Sequence, residues 1–375
     1  MAKKLRFMSA CIVTLAFAVL SIGPGIEPAY PAEKIEKGIA EKLVLTEVVQ
    51  IGVVVKDLQK AMERYWEILG IGPWRVLNFV PPDLSNTMFR GKPTPYSMKL
   101  AIARVGAVDW ELIQPLTGPS TYLEFMEKRG EGIHHVAVIP ALDYDSTVGI
   151  LGKRGVGILM SGVWGGAGGY SYMDTEKDLK AIFEIYKPRP ANVKAPAPSS
   201  WYPSADAKKP ETEVAFNNVT QIGIVVKDIN QAMKRYWDLL GIGPWRVHTY
   251  APHTGLTNMK IRGKEEPYGM KLALAYTGKM NWELIQPLSG PNIYKEFLEQ
   301  KGEGLHHVNT SRVAAFDQTT LNLEKKGIKP LMTGTFMQGT YAYMDTEKEL
   351  GGVIFEMSTG RPPGVRSPVE AYYPK

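Results

Sequence analysis

Gln50, Glu111, His135 and Glu184 are polar residues set in otherwise apolar stretches, and Gln221, Glu283, His307 and Glu356 repeat them later in the chain at nearly the same spacings. Two carboxylates, one imidazole and one amide oxygen suit a single octahedral divalent cation that prefers oxygen and nitrogen donors. Two carboxylates in an apolar setting are costly unless a dication neutralises them. Zn, Ni, Co, Mn and Fe(II) all tolerate such a set, so the expectation is one divalent metal per half of the chain, with the element left open. Any one of these residues alone has an ordinary explanation as a satisfied core group. The argument rests on the recurrence of all four while many of their neighbours change.

The histidines raise a second question. The chain has six, and four stand as doublets in "GEGIHHVAV" and "GEGLHHVNT". Successive residues of a strand point to opposite faces, so one histidine of each pair can enter a site. Alignment with Gln50 and Gln221 selects His135 and His307. His134 and His306 are expected on the other face, packing or hydrogen bonding.

These residues are positioned by a unit written twice. "VVQIGVVVKDLQKAMERYWEILGIGPWRV" returns as "VTQIGIVVKDINQAMKRYWDLLGIGPWRV", and "DWELIQPLTGPSTYLEFMEKRGEGIHHV" as "NWELIQPLSGPNIYKEFLEQKGEGLHHV". The domains are placed at 43–188 and 214–360, with a Pro/Ala-rich, solvated linker at 189–213 and a tail at 361–375. Within the first copy, the β-branched run 48–55 reads as a buried strand, and Asp57 caps a helix over 58–69 that Gly70 stops. Strands follow at 74–79, 98–105 and 109–113, then a bridging helix at 122–128. The same order restarts with a strand at 134–139, a helix at 145–154 and strands at 158–163, 170–173 and 181–186. Each domain is therefore two βαβββ modules, four in the chain, and the fold class is α+β. The glycine-rich "GVWGGAGGY" lacks the ending of a phosphate-binding loop and reads as a lid or a hairpin turn.

Paired βαβββ modules with polar residues on their first and last strands resemble the vicinal oxygen chelate superfamily of glyoxalases, methylmalonyl-CoA epimerases, bleomycin-resistance proteins and extradiol dioxygenases. The resemblance spans both domains and implies a cupped mixed sheet in each. "ELIQPL" and "GEGIHHVAV" are similar to the epimerase branch, whereas Gln followed by Glu, His and Glu matches the ligand pattern of glyoxalase I. The glutathione-binding arginine of glyoxalase I has no equivalent in "QIGVVV" or "QIGIVV". The resemblance implies metal-assisted proton abstraction from a small vicinal-oxygen substrate, such as a 2-hydroxy ketone or a 2-keto acid derivative, through an enediolate. That makes the protein an isomerase or epimerase, or a glyoxalase-like lyase. Glu184 and Glu356 are the expected general bases, and Glu111 and Glu283 the firmer ligands. Tyr172, Tyr343, Trp74 and Trp245 are candidate substrate contacts, with core packing as the competing role of the tryptophans. The reading from another class is a metal-free, periplasmic binding or sequestration protein of the resistance type.

Composition limits the partners. The 375-residue chain carries a formal net charge of +6 without a dense basic stripe, which argues against nucleic acid. Lys3, Lys4 and Arg6 precede an uncharged apolar run, so residues 1–32 read as a secretory signal, with an uncleaved membrane anchor as the alternative. The expected location is secreted or periplasmic. Cys11, the only cysteine, falls in that leader, so disulfides and thiolate chemistry are excluded from the mature chain.

Overall fold

The computed structural model describes residues 43–208, 216–311, 313 and 315–375. The leader read at 1–32 lies outside the described residues, as does the linker stretch 209–215. In the first repeat, β1 (Leu45–Val54) leads into α1 (Leu58–Leu69), β2 (Trp74–Phe79) and a hairpin of β3 (Leu84–Phe89) and β4 (Lys92–Pro93). β5 (Ser97–Val105), β6 (Val108–Thr117) and the bridging α2 (Thr121–Arg129) follow. The second module holds β7 (Gly132–Pro140), α3 (Tyr144–Lys153), β8 (Ile158–Trp164), β9 (Gly169–Met173), a single turn α4 (Glu176–Leu179) and β10 (Ile182–Lys187). β11 (Ser200–Tyr202) closes the repeat.

The second repeat runs through β12 (Gln221–Val225), α5 (Ile229–Leu240), β13 (Trp245–Tyr250), β14 (Leu256–Ile261), β15 (Lys264–Glu265), β16 (Gly269–Thr277) and β17 (Met280–Ser289). It continues with α6 (Ile293–Gln300), β18 (Gly304–Ser311), α7 (Phe316–Lys325), β19 (Pro330–Phe336), β20 (Gly339–Met344), β21 (Ile354–Ser358) and β22 (Ala371–Tyr373).

Each repeat makes one 11-stranded mixed sheet, the first in the order β11-β2-β5-β6-β1-β7-β10-β9-β8-β3-β4. The first and last strands of a module pair in parallel, β1 with β6 and β7 with β10, and the modules meet at the antiparallel pair β1–β7. The fold is α+β, two tandem curled sheets of paired βαβββ modules. The reach of β3 to β8 of the other module was not legible beforehand. Only Leu84 of that strand is buried, so it carries no apolar alternation to read. The glycine-rich stretch is a hairpin turn between β8 and β9.

Local chemistry sets the helices. Asp57 and Asp228 accept backbone N–H groups at the starts of α1 and α5, and Gly70 and Gly241 end them in the left-handed conformation. Alternation sorts each strand's side chains between two cores. One face of each sheet enters a cluster that spans both repeats, while the other lines the concave cup. In the shared cluster, Phe355 lies 5.5 Å from Trp110 and 6.2 Å from Tyr65, and Phe183 lies 5.4 Å from Trp282 and 6.1 Å from Tyr236.

One expectation is corrected here. The segment after 188, read as a solvated linker, packs on its own domain as far as Tyr202. Arg189 donates to the carbonyls of Trp164 and Gly165, Ser199 bonds Val76, and β11 adds to the edge at β2. Its Pro-rich composition described its stiffness and not its docking, because the strand it adds at β2 pairs through the backbone. The tail repeats the device, with β22 on β13. Among the described residues no helix is long and apolar enough to cross a membrane.

Candidate metal centre

The four central strands of the first sheet, β6-β1-β7-β10, each supply one of the expected site residues. Glu111, Gln50, His135 and Glu184 alternate with Trp110, Ile51, Val136 and Phe183, which face the shared core, so all four stand on the cup side. Gly52 lies in register between Glu111 on one side and His135 on the other. A Cβ at Gly52 would overlap the His135 ring, and Gly223 stands in the same relation to His307. The glycine of "QIGVVV" is therefore the space the imidazole occupies, a role sequence spacing did not reveal.

His135 Nε2 lies 3.1 Å from Glu184 Oε2 and 3.5 Å from Glu111 Oε2. His307 Nε2 lies 3.3 Å from Glu356 Oε2 and 3.4 Å from Glu283 Oε2. Both imidazoles are fully buried. Nε2 of both histidines and Oε2 of Glu184 and Glu356 are buried without a hydrogen-bond partner. Orphaned donor atoms converging on one point fit a divalent cation, which would satisfy them together. In the second domain, ligand atoms of Glu283, His307 and Glu356 all lie within 4.8 Å of one another.

Gln50 and Gln221, expected as oxygen ligands, join the cluster differently. Tyr186 donates to Gln50 Oε1 at 2.5 Å, and Asn281 donates to Gln221 Oε1 at 2.8 Å. Gln221 Nε2 in turn donates to Glu283 at 2.7 Å. A carboxylate only accepts, so the amide turns its nitrogen toward it and its oxygen away. The glutamine thus orients the first glutamate, and the remaining trio is Glu, His and Glu.

The doublets also depart from expectation. Opposite Gly52 and Val53 the register on β7 jumps from His135 to Ile133, and opposite Gly223 and Ile224 on β18 it jumps from His307 to Leu305. His134 and His306 are the extra residues of β-bulges, and a bulge suspends the alternation that would have sent them to the far face. His134 Nδ1 sits 3.1 Å from His135 Nδ1, and His306 Nδ1 sits 3.0 Å from His307 Nδ1. With the shared proton on His135 Nδ1, its Nε2 presents a lone pair to the carboxylates. In that arrangement His134 fixes the tautomer of His135, and His306 stands in the same place beside His307.

Burial shapes the charges. Burial raises the Glu184 carboxyl to about 8, against lowering by the Tyr186 and Tyr172 hydroxyls, and it drops His135 to about 3. At His307 burial also lowers the value, but Glu283 and Glu356 outweigh it and bring the imidazole to about 9. Glu111 and Glu283 are both raised, chiefly by burial. These shifts favour a retained proton in each trio, among the Glu111 and Glu184 carboxyls in the first domain and on the His307 imidazole in the second.

Tyr172 and Tyr343 lie inside the cups, their rings 4.7 Å from His135 and 4.9 Å from His307. Their hydroxyls bond those of Tyr122 and Tyr294, at 2.7 and 2.6 Å. Trp74 and Trp245 are corrected: they sit on the opposite face, fully buried in the shared core, 5.8 Å from Tyr65 and 5.7 Å from Tyr236. Their partners Leu77 and His248, three residues on, take the cup side, so period-two alternation excludes the tryptophans.

Comparison with known proteins agrees with this architecture. The sequence profile of the Glyoxalase/Bleomycin resistance protein/Dioxygenase superfamily matches residues 49–173 and again 220–343. An uncharacterized protein of Bacillus subtilis (strain 168), YqjC, is 31% identical over 91 residues, which cover 24% of this chain. The match spans 54% of that relative's length. A mutant 4-hydroxymandelate synthase from Streptomyces coelicolor superposes with a TM-score of 0.53 at 12% identity, over 87% of this chain and 95% of the other. The Mn(II)-bound glyoxalase from Novosphingobium aromaticivorans aligns over 84% of this chain and 82% of its own, at 15% identity and a TM-score of 0.41.

Proposed function

Because the chain belongs to the glyoxalase/bleomycin resistance protein/dioxygenase superfamily, we propose that it is a divalent-metal-dependent enzyme that abstracts a proton from a small vicinal-oxygen substrate. The product class is that of an isomerase or epimerase, or of a glyoxalase-like lyase. The observation that carries this reading is the duplicated buried trio with orphaned atoms on its histidine and last glutamate. Glu111, His135 and Glu184 would hold one ion, and Glu283, His307 and Glu356 a second. When bound, the ion would act as a Lewis acid toward a substrate carbonyl.

The chain's own groups supply the rest. Glu184 and Glu356 are the proposed proton acceptors: each lies on the last strand of the second module of its domain, and its carboxylate would serve both as a weakly held ligand and as the base. The burial that raises the Glu184 carboxyl also makes its carboxylate a stronger base once the proton leaves. Burial holds the Tyr172 and Tyr343 phenols protonated, so they act as hydrogen-bond donors to substrate oxygen. The basic and then apolar N-terminus supports a secreted or periplasmic setting.

The test is metal content by plasma mass spectrometry on protein purified without a chelating tag, beside a variant carrying His135→Ala and His307→Ala. The expected result is about two equivalents of divalent metal, lost in the variant, together with solvent proton exchange on 2-hydroxy ketones. A chain that neither contains nor takes up metal would overturn the enzyme reading and leave a metal-free binding cup.

A further inference from the structure

The two cups share their deep lining and the trio, yet they differ around the mouth, and the differences run in one direction. Leu77, Phe79 and Ala137 of the first cup correspond to His248, Tyr250 and Asn309 of the second. Tyr186, which covers Gln50, corresponds to Ser358, a far smaller side chain. His248, Tyr250 and Asn309 are all buried. Asn309 is in register with Gln221 on one side and Glu356 on the other, and the charges of Glu283 and Glu356 act on Tyr250. Asn309 therefore sits beside the trio and Tyr250 within range of its charges, while His248 bonds the Pro368 carbonyl at 2.7 Å on the side of the tail.

The strap over each mouth differs too. In the first domain Phe79 stacks on Trp164 at 4.5 Å, and Arg189 directs both terminal amines to the carbonyls of Trp164 and Gly165. In the second, Tyr250 stacks on Phe336 at 3.9 Å, and the corresponding Arg361 donates one amine to the Tyr250 hydroxyl. Arg361 is exposed, and among the described residues no carboxylate lies within 4.0 Å of it. A guanidinium with spare donors, fixed by a phenol at the rim, is suited to a carboxylate.

We infer that the two cups select different ligands, and that the second is built for a vicinal-oxygen compound bearing a further carboxylate, which Arg361 and Tyr250 receive at the rim. The first cup, apolar and narrowed by Tyr186, takes a compound with an uncharged tail. This rests on the proposed metal-centred function and adds the substrate class of each site.

The experiment uses the full chain loaded with Co²⁺. His135→Ala leaves the second cup to be loaded, and His307→Ala the first; Glu111→Gln and Glu283→Gln serve the same purpose should a histidine variant fail to fold. Each is titrated calorimetrically with 2-oxoglutarate and with 2-oxovalerate, which share the vicinal oxygens but differ in the distal carboxylate. The His135→Ala protein is expected to prefer 2-oxoglutarate by about tenfold, and the His307→Ala protein to show no such preference. Adding Arg361→Gln to His135→Ala should erase the preference while Co²⁺ uptake is unchanged, and Arg189→Gln in His307→Ala should alter neither affinity. Equal preferences in the two proteins, or a preference that survives Arg361→Gln, would overturn the inference and leave the function intact. Failure of Co²⁺ to bind either cup would overturn both.

Discussion

At the scale of single residues, the centre depends on groups that are not themselves metal donors. Gly52 and Gly223 leave room for the imidazoles, the glutamines orient the first glutamates, and His134 and His306 set their Nδ1 atoms against those of their neighbours. Partners that orient a ligand typically affect metal affinity by about 10–100-fold. His134→Ala and His306→Ala are expected to weaken metal binding to that extent in competition with a chromophoric chelator. Asn at the same positions, which keeps an acceptor near Nδ1, should recover part of the loss. Alanine variants that bind metal as tightly as the parent would show that the doublet has no part in holding the centre. The expectation of eight site residues came from their recurrence in pairs on apolar strands, and the structure brings Glu111, His135 and Glu184 together, and likewise Glu283, His307 and Glu356. The bulge was not legible, since it adds a residue without changing the composition of the strand, and a period-two reading then sends His134 to the wrong face.

At the scale of elements, the helices and the last strands couple the two repeats. Tyr65 on α1 donates to the Leu350 carbonyl at 2.9 Å, and Tyr236 on α5 donates to the Leu179 carbonyl at 2.8 Å. Arg64 pairs with Glu349 at 2.7 Å, and Arg235 pairs with Asp178. A buried carbonyl left without its donor costs about 1–3 kcal/mol. Tyr65→Phe should therefore lower unfolding stability by that amount in urea, followed by tryptophan fluorescence. Both repeats should still unfold in one transition, because Trp110 and Trp282 lie in the same core. Two separated transitions would contradict the shared core. Most of these elements could be read from periodicity and caps. The straps at 189–202 and 361–373 could not, because strand addition at an edge is satisfied by backbone groups that any sequence carries.

At the scale of the whole molecule, the buried trios make stability depend on pH and on metal. The Glu184 carboxyl rises from an ordinary 4.5 to about 8, and the His307 imidazole from 6.5 to about 9. A group raised on folding contributes stability that is fully present below its unfolded value and is lost as pH climbs through its folded value. Both groups act in the same sense, while His135, lowered by burial, acts in the opposite sense only up to about pH 6.5, so the metal-free protein should show a Tm that falls between pH 7 and pH 9 in scanning calorimetry. A bound dication replaces the retained proton, so metal should flatten that decline, and metal affinity should increase over the same range. A metal-free Tm that rises from pH 7 to pH 9 would refute the retained proton.

The amino-acid sequence by itself determined the duplication, the four βαβββ modules and the polar residues on their first and last strands. Those are properties of pattern: apolar period, capping residues and exact recurrence survive in one dimension. Only the tertiary structure decided which atoms converge. It sent Trp74 and Trp245 to the shared core, turned Gln50 and Gln221 to orient a carboxylate, and folded both histidines of each doublet to one side. Each of these outcomes depends on strand register and on bulges, which are set by pairing between segments far apart in the chain and leave no periodic trace in either segment alone.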